Sequence, residues 1–200
     1  MKKFALIVGL ILLLSSPSYS KEDSVNVYQM PRSVVKTKLY DPYGKAYLLD
    51  SFKGEFVMAV FWSRYCAPCI KELSSLSNFA KMTENDGFRV IIISPAEEWR
   101  SAEEQARLLS KYNAEGLEFF VDKKGELGSA LGIFKTPHTV LINREGQEIG
   151  RIKGAADWDS DKVIEYMYKV KSDSNLYIEI NKNKPRDLLG TKSSIKAQDL

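Results

Sequence analysis

The chain has 200 residues, 44% of them apolar, with 29 Lys and Arg against 26 Asp and Glu, two Cys and a single His. That is enough for one domain with a complete core, and three thiol and imidazole groups are too few for a structural zinc site of about four ligands. A formal charge of +3 leaves no general nucleic-acid footprint.

The first twenty residues read as a signal peptide. Lys2 and Lys3 give a basic start, Phe4 to Leu14 an eleven-residue apolar run, and Ser18 and Ser20 small residues at the cleavage-defining positions. Eleven residues make ~16 Å of helix against a hydrocarbon core of ~30 Å, so a stable transmembrane anchor is not expected. Cleavage after Ser20 is the expected outcome, with an uncleaved N-terminal tether as the alternative. Loss of Lys2 and Lys3 lowers the formal charge from +3 to +1, which again argues against a nucleic-acid partner.

Residues 21–33 read as a polar lead-in with a short alternation at Val25 and Val27. Val34 to Leu39 is a predicted strand, Asp41-Pro42-Tyr43-Gly44 a turn, and Ala46 to Leu49 the returning strand of a hairpin. Phe56 to Trp62 is a continuous apolar run, expected to be a buried strand covered on both faces.

Cys66-Ala67-Pro68-Cys69 follows that run and opens a helix in which Ile70, Leu73, Leu76, Phe79 and Ala80 recur at helical spacing. Pro68 is tolerated in a first helical turn, whose N–H groups have no partner in any case. Cys66 is thereby placed at a helix N-terminus, where unpaired N–H groups and the positive end of the dipole favour a thiolate. The dipole supplies ~0.3–1 kcal/mol, less than the ~1.4 kcal/mol of one pKa unit, so hydrogen bonds to the Cys66 sulfur must supply the rest of any activation. A dithiol so placed can attack a disulfide and be released by its second sulfur. The competing reading, a structural bridge, gains little, because a loop of two intervening residues scarcely restricts the unfolded chain.

The motif helix is predicted to run to about Glu84 and stop at Asn85-Asp86-Gly87. Phe88 to Ile93 is a second buried strand. Ser101 with Glu104 forms a capping-box pattern ahead of a helix with Ala102, Ala106, Leu109 and Tyr112 on one face. Leu117 to Val121 is a short strand, and Leu127, Ala130 and Leu131 suggest a short helix stopped at Gly132. Thr139 to Ile142 and Gln147 to Ile152 make an antiparallel hairpin, and Asp157 to Val170 a closing helix. Residues 172–200 read as a flexible polar tail in which only Leu176 to Ile180 is strand-like. The sum is an α/β protein: a central mixed sheet flanked by helices, in one domain over residues 34–171.

At this point the chain resembles the thioredoxin superfamily, and within it the TlpA/ResA-like exported thiol–disulfide oxidoreductases. The resemblance covers about Val34 to Val170. Phe61-Trp62-Ser63-Arg64-Tyr65-Cys66-Ala67-Pro68-Cys69 is similar to the group's F-W-x-x-W-C-x-P-C, and Thr136-Pro137-His138-Thr139-Val140-Leu141-Ile142 to the segment carrying its cis-proline. Asp41 to Lys45 and Phe52-Lys53-Gly54 resemble its N-terminal hairpin, and the capped helix after Ile93 its helical insertion. The resemblance implies a thioredoxin-like fold and a redox-active Cys66–Cys69 disulfide with no bound cofactor or metal. Cys66 would attack, Cys69 resolve, and Glu72 stand where the group keeps an acid near the dithiol; the plainer reading of Glu72 is a solvated helix carboxylate. Trp62, Tyr65, Pro68, Thr136 and Pro137 would make the substrate contacts, Trp62 chiefly as core beneath the site. Two positions depart from the pattern: Tyr65 replaces the usual Trp, and Val60 stands where plain thioredoxins keep a buried aspartate.

The resemblance implies an exported reductant of protein disulfides, with client proteins such as apocytochrome c and a membrane thiol reductant of the DsbD/CcdA type as partners. Two alternatives stand beside it. A peroxiredoxin-like peroxidase matches Ser63-x-x-Cys66 but has Ala59 in place of its proline. A copper-delivery module would use Cys66, Cys69 and His138.

Overall fold

The computed structural model describes residues 24–182, so the signal-peptide reading and the last part of the tail lie outside the described residues. Its centre is β4 (Phe56–Phe61), six residues buried without exception. β4 pairs in parallel with β5 (Phe88–Pro95) and antiparallel with β7 (His138–Ile142), which fixes the mixed sheet. Strand alternation divides its side chains between two cores. Met58 and Val60 face the layer that holds Cys69, Leu73 and Phe79, while Val57, Ala59 and Phe61 face the layer that holds Leu127 and Val140.

Around this centre the chain adds β1 (Ser24–Ser33), β2 (Lys38–Tyr40), β3 (Ala46–Leu48), α1 (Ala67–Thr83), α2 (Ala102–Lys111), β6 (Glu118–Asp122), α3 (Glu126–Ala130), β8 (Gln147–Lys153) and α4 (Asp161–Lys182). The eight strands form one sheet in the order β1-β8-β7-β4-β5-β6-β2-β3. α1 closes into a short turn of 3-10 helix, and Gly87 then takes the left-handed conformation, φ 71°, that stops a helix. This is a thioredoxin-like fold, with the expected hairpin at β2–β3 and the expected helix after β5.

Four expectations are corrected. The lead-in, expected to precede the domain, is an edge strand of its sheet: β1 pairs antiparallel with β8, Val25 opposite Ile152 and Val27 opposite Gly150, with an irregularity before Arg32 resumes opposite Glu148. Val25, Val27 and Met30 are exposed on this edge strand, so the alternation that marks a half-buried strand is faint. The last helix begins at Asp161, after a turn closed by Ser160 N–H on the Asp157 carbonyl, and it runs on to Lys182. Residues 172–182, expected in the tail, are therefore helical, the strand-like Leu176 to Ile180 included. Their aromatic and β-branched residues favour a strand locally, but extending a helix already nucleated is the cheaper course. In α2 it is Gln105, not Ala106, that turns inward, and its amide donates to Ser94 Oγ at 3.2 Å. Among the described residues, no helix is long and apolar enough to cross a membrane.

Candidate active site

β4 ends at Phe61, and after four intervening residues Cys66 caps the N-terminus of α1. Cys66 and Cys69 are disulfide-bonded, with Cα atoms 5.2 Å apart. The Cys69 N–H donates to Cys66 Sγ at 3.2 Å, so a free backbone donor of the first turn is aimed at the outer sulfur. Cys66 is half-exposed while Cys69 is fully buried. One sulfur is reachable by another protein and the other is shielded beneath it. Pro68 is exposed in the first turn, as the helix chemistry allows.

The Thr136–Pro137 bond is cis. His138 pairs with Phe61, so Pro137 lies one residue beyond the β4–β7 ladder, at the same end of the sheet as the dithiol loop. Its carbonyl accepts from Gly154 N–H at 3.0 Å. Thr136 is exposed and Pro137 buried. Tyr65 stands 81% exposed beside Cys66, and Phe134, which the sequence did not single out, is 84% exposed on the loop leading to Pro137. Trp62 offers no surface to a substrate: it is buried against the Trp99 ring, 5.6 Å between centroids, and belongs to the core below the site.

Glu72 is not a solvated carboxylate. It is buried, and its Oε2 accepts the Ala156 N–H at 3.0 Å and the Trp158 indole N–H at 2.9 Å. Both hydrogen bonds favour the anion, yet burial outweighs them and lifts its pKa to about 7. The position is one helical turn after Cys69. It lines a cleft of about 590 Å³ together with Pro68, Lys71, Ser75 and Asp157. Val60, where plain thioredoxins keep their aspartate, is buried in the same layer as Cys69. Trp158, missed in the sequence, comes from the turn before α4.

His138 is buried, and strand alternation sets it with Val140 and Ile142, across the sheet from the layer of Cys69. Burial, with Arg151 and Lys153 nearby, pushes its pKa down to about 4. The three groups invoked for copper delivery are thus divided by the sheet. Among the described residues, no cluster of three or more His, Cys, Asp or Glu is placed to hold a metal ion.

A cystine capping a helix, its outer sulfur held by a backbone N–H, at the same sheet end as a cis-proline, defines a thiol–disulfide oxidoreductase of the thioredoxin type. The Redoxin family pattern matches residues 28–168, and the chain belongs to that family. It is 28% identical over 152 residues to the thiol-disulfide oxidoreductase ResA of Bacillus cereus, covering 76% of this chain and 83% of that one. ResA of Bacillus subtilis is 27% identical over 135 residues, 66% of this chain and 71% of that one. The solution structure of a thiol:disulfide interchange protein from Bacteroides sp. shares the fold with a TM-score of 0.58 at 19% identity, covering 72% of this chain and 90% of that one.

Proposed function

We propose that this oxidoreductase works outside the cytoplasm as a reductant of protein disulfides, with Cys66 as the attacking thiol, Cys69 as the resolving thiol and Glu72 as the proton carrier. The observation that carries the reading is the buried Glu72 carboxyl, with a pKa of about 7, one turn from the shielded sulfur.

In the reduced protein the Cys66 thiolate attacks one sulfur of the client disulfide. The client S–S bond breaks, a mixed disulfide forms, and the departing client sulfur leaves as a thiolate that takes up a proton. Cys69 then gives its proton to the Glu72 carboxylate and attacks the Cys66 sulfur. The second client sulfur leaves with the bonding pair and is protonated from Glu72 or water. Two electrons and two protons pass to the client, and the protein is left as the Cys66–Cys69 disulfide. A group with a pKa near 7 both accepts and returns a proton at neutral pH. Tyr65, Pro68 and Thr136, all exposed, and the backbone flanking Pro137 are the proposed client contacts.

The client class is a protein with an accessible cystine, for which apocytochrome c is the candidate the family resemblance suggests, and electrons would return through a membrane thiol reductant of the DsbD/CcdA type. The reduction potential of the Cys66–Cys69 pair tests the direction. A value near the roughly −270 mV of thioredoxin supports a reductant, and one near the roughly −120 mV of DsbA overturns it.

A further inference from the structure

The turn that delivers Cys66 is held from outside by the segment joining β5 to α2. Ser63 Oγ donates to Glu98 Oε1 at 2.6 Å, and the Arg64 N–H donates to Glu98 Oε2 at 2.8 Å. Ser63 passes the restraint on, because its hydroxyl accepts the Tyr65 N–H at 3.2 Å and its carbonyl the Cys66 N–H at 3.1 Å. The Arg64 guanidinium is taken up by the same segment. Its Nη1 donates to the Glu98 carbonyl at 2.9 Å and to Glu104 Oε1 at 2.8 Å, and it lies 4.7 Å from the centre of the Trp99 ring. Glu104 is itself fixed by the Arg100 N–H at 2.9 Å, and Trp99 by its indole N–H on Ser94 Oγ at 2.8 Å.

One carboxylate, Glu104, therefore pairs with the Arg64 guanidinium, while a second, Glu98, binds Ser63 and the Arg64 backbone, so two negative charges and one positive hold the turn just ahead of the outer sulfur. A thiolate at Cys66 would sit between the positive end of α1 and this excess of negative charge. The other charged groups at this end include Lys71 and Glu72 on α1, Asp157 and Asp159 after β8, Lys135 ahead of Pro137, Lys153 opposite His138, and Glu97, Arg100, Lys123 and Lys124 beside the clamp. Glu98 is the one of all these whose side chain bonds the backbone of the dithiol turn.

We propose that Glu98 and Glu104 form a carboxylate clamp on the Ser63–Cys66 turn that holds down the acidity of Cys66, with Glu98 a positioning residue for disulfide exchange. The clamp rests on the reading of Cys66 as the attacking thiol. A less stabilised thiolate means a less stabilised reduced form, and so a more reducing pair. Arg64 alone, so close in sequence to Cys66, would act in the opposite sense.

The test uses the full chain with Glu98→Gln and Glu104→Gln, each of which removes one charge and keeps the shape. The rate of Cys66 alkylation is followed against pH, and the pair is equilibrated with glutathione. The reactivity midpoint is expected to fall by about half a unit in Glu98→Gln and by less in Glu104→Gln, and the equilibrium to move roughly threefold toward the dithiol. Glu98→Asp keeps the charge and is expected to hold the midpoint near the parent value. A midpoint that stays or rises, whatever happens to the melting temperature, makes Glu98 a plain strut and overturns the clamp. Should Glu98→Gln fail to fold, Glu104→Gln decides by the same criterion. The parent protein separates the two readings: if Cys69 is alkylated before Cys66, the proposed function fails rather than the clamp.

Discussion

The indole N–H of Trp158 meets the carboxylate of Glu72 at 2.9 Å, across 86 residues of chain. Together with the Ala156 N–H it binds the one carboxylate oxygen, and so holds the acid still beside the dithiol. The turn that brings Trp158 there is therefore part of the proton pathway proposed for this site.

Glu72→Gln should separate chemistry from stability. The folded pKa of Glu72, about 7, stands above its ordinary 4.5, so between these values the folded protein binds the proton more tightly than the unfolded chain. Stability linked to Glu72 is then full below pH 4.5 and is lost as pH rises through 7, by on the order of 3 kcal/mol. Denaturation of the oxidised variant at pH 5 and pH 8 should show that loss gone, leaving stability at pH 8 higher relative to pH 5 than it is in the parent. Reduction of a model disulfide should slow by roughly 10²–10⁴. An unchanged rate would leave Glu72 a structural group.

His138 acts in the other direction. Its folded pKa, about 4, lies below the ordinary 6.5, so its contribution is present above pH 6.5 and is lost as pH falls through 4. The loss is about 1–3 kcal/mol. Between pH 4.5 and 6.5 the two slopes oppose each other, and the parent protein should show a nearly flat profile. His138→Leu should reveal the falling slope of Glu72, and Glu72→Gln the rising slope of His138. Two parallel profiles would contradict both assignments.

The cysteines differ by exposure, and their variants should differ accordingly. Cys66→Ser is expected to abolish attack on a disulfide. Cys69→Ser should accumulate a mixed disulfide with clients, visible as an adduct in intact-mass spectra that reductant removes. Equal residual turnover in the two variants would reverse or dissolve the assignment.

Gly150 of β8 lies close against the backbone of β1, opposite Val27. A Cβ there would lie 2.7 Å from the Asn26 carbonyl oxygen and 3.1 Å from Val27 Cα, both backbone atoms that cannot swing aside. Gly150→Ala should lower stability by about 1–3 kcal/mol, as overpacking does. Hydrogen exchange should show the loss of protection concentrated in residues 24–33. Exchange that rises evenly over the whole sheet would mean that β1 is not a separable edge.

The central layer was legible because its residues are unambiguous. Phe56 to Phe61 and Phe88 to Ile93 are continuous apolar runs, and the helix at Cys66 has both its spacing and its N-terminal chemistry in plain sight. The edges were not. β1 buries so little that its side chains carry almost no pattern, and Pro31 interrupts what there is. The fate of Glu72 was equally hidden, since its partners Ala156 and Trp158 arrive by tertiary folding and leave no mark near Cys69. Glu104 shows how a local motif is redirected. Ser101 Oγ does cap the Glu104 N–H, but the Glu104 carboxylate turns away from the box to bind Arg100 N–H and Arg64.

The cystine joins residues only three apart in the chain. A link so short hardly changes the entropy of the unfolded chain, so a peptide with this sequence would have nearly the redox couple of the unfolded protein. Any difference between that peptide and the native enzyme must then come from the folded state. Folding and electron transfer close a thermodynamic cycle here: the gap in unfolding free energy between the two redox forms equals the displacement of the native potential from the peptide's, at about 1.4 kcal/mol for each 30 mV. Two denaturation curves, one recorded with reductant and one without, would measure that displacement with no electrode and no redox buffer.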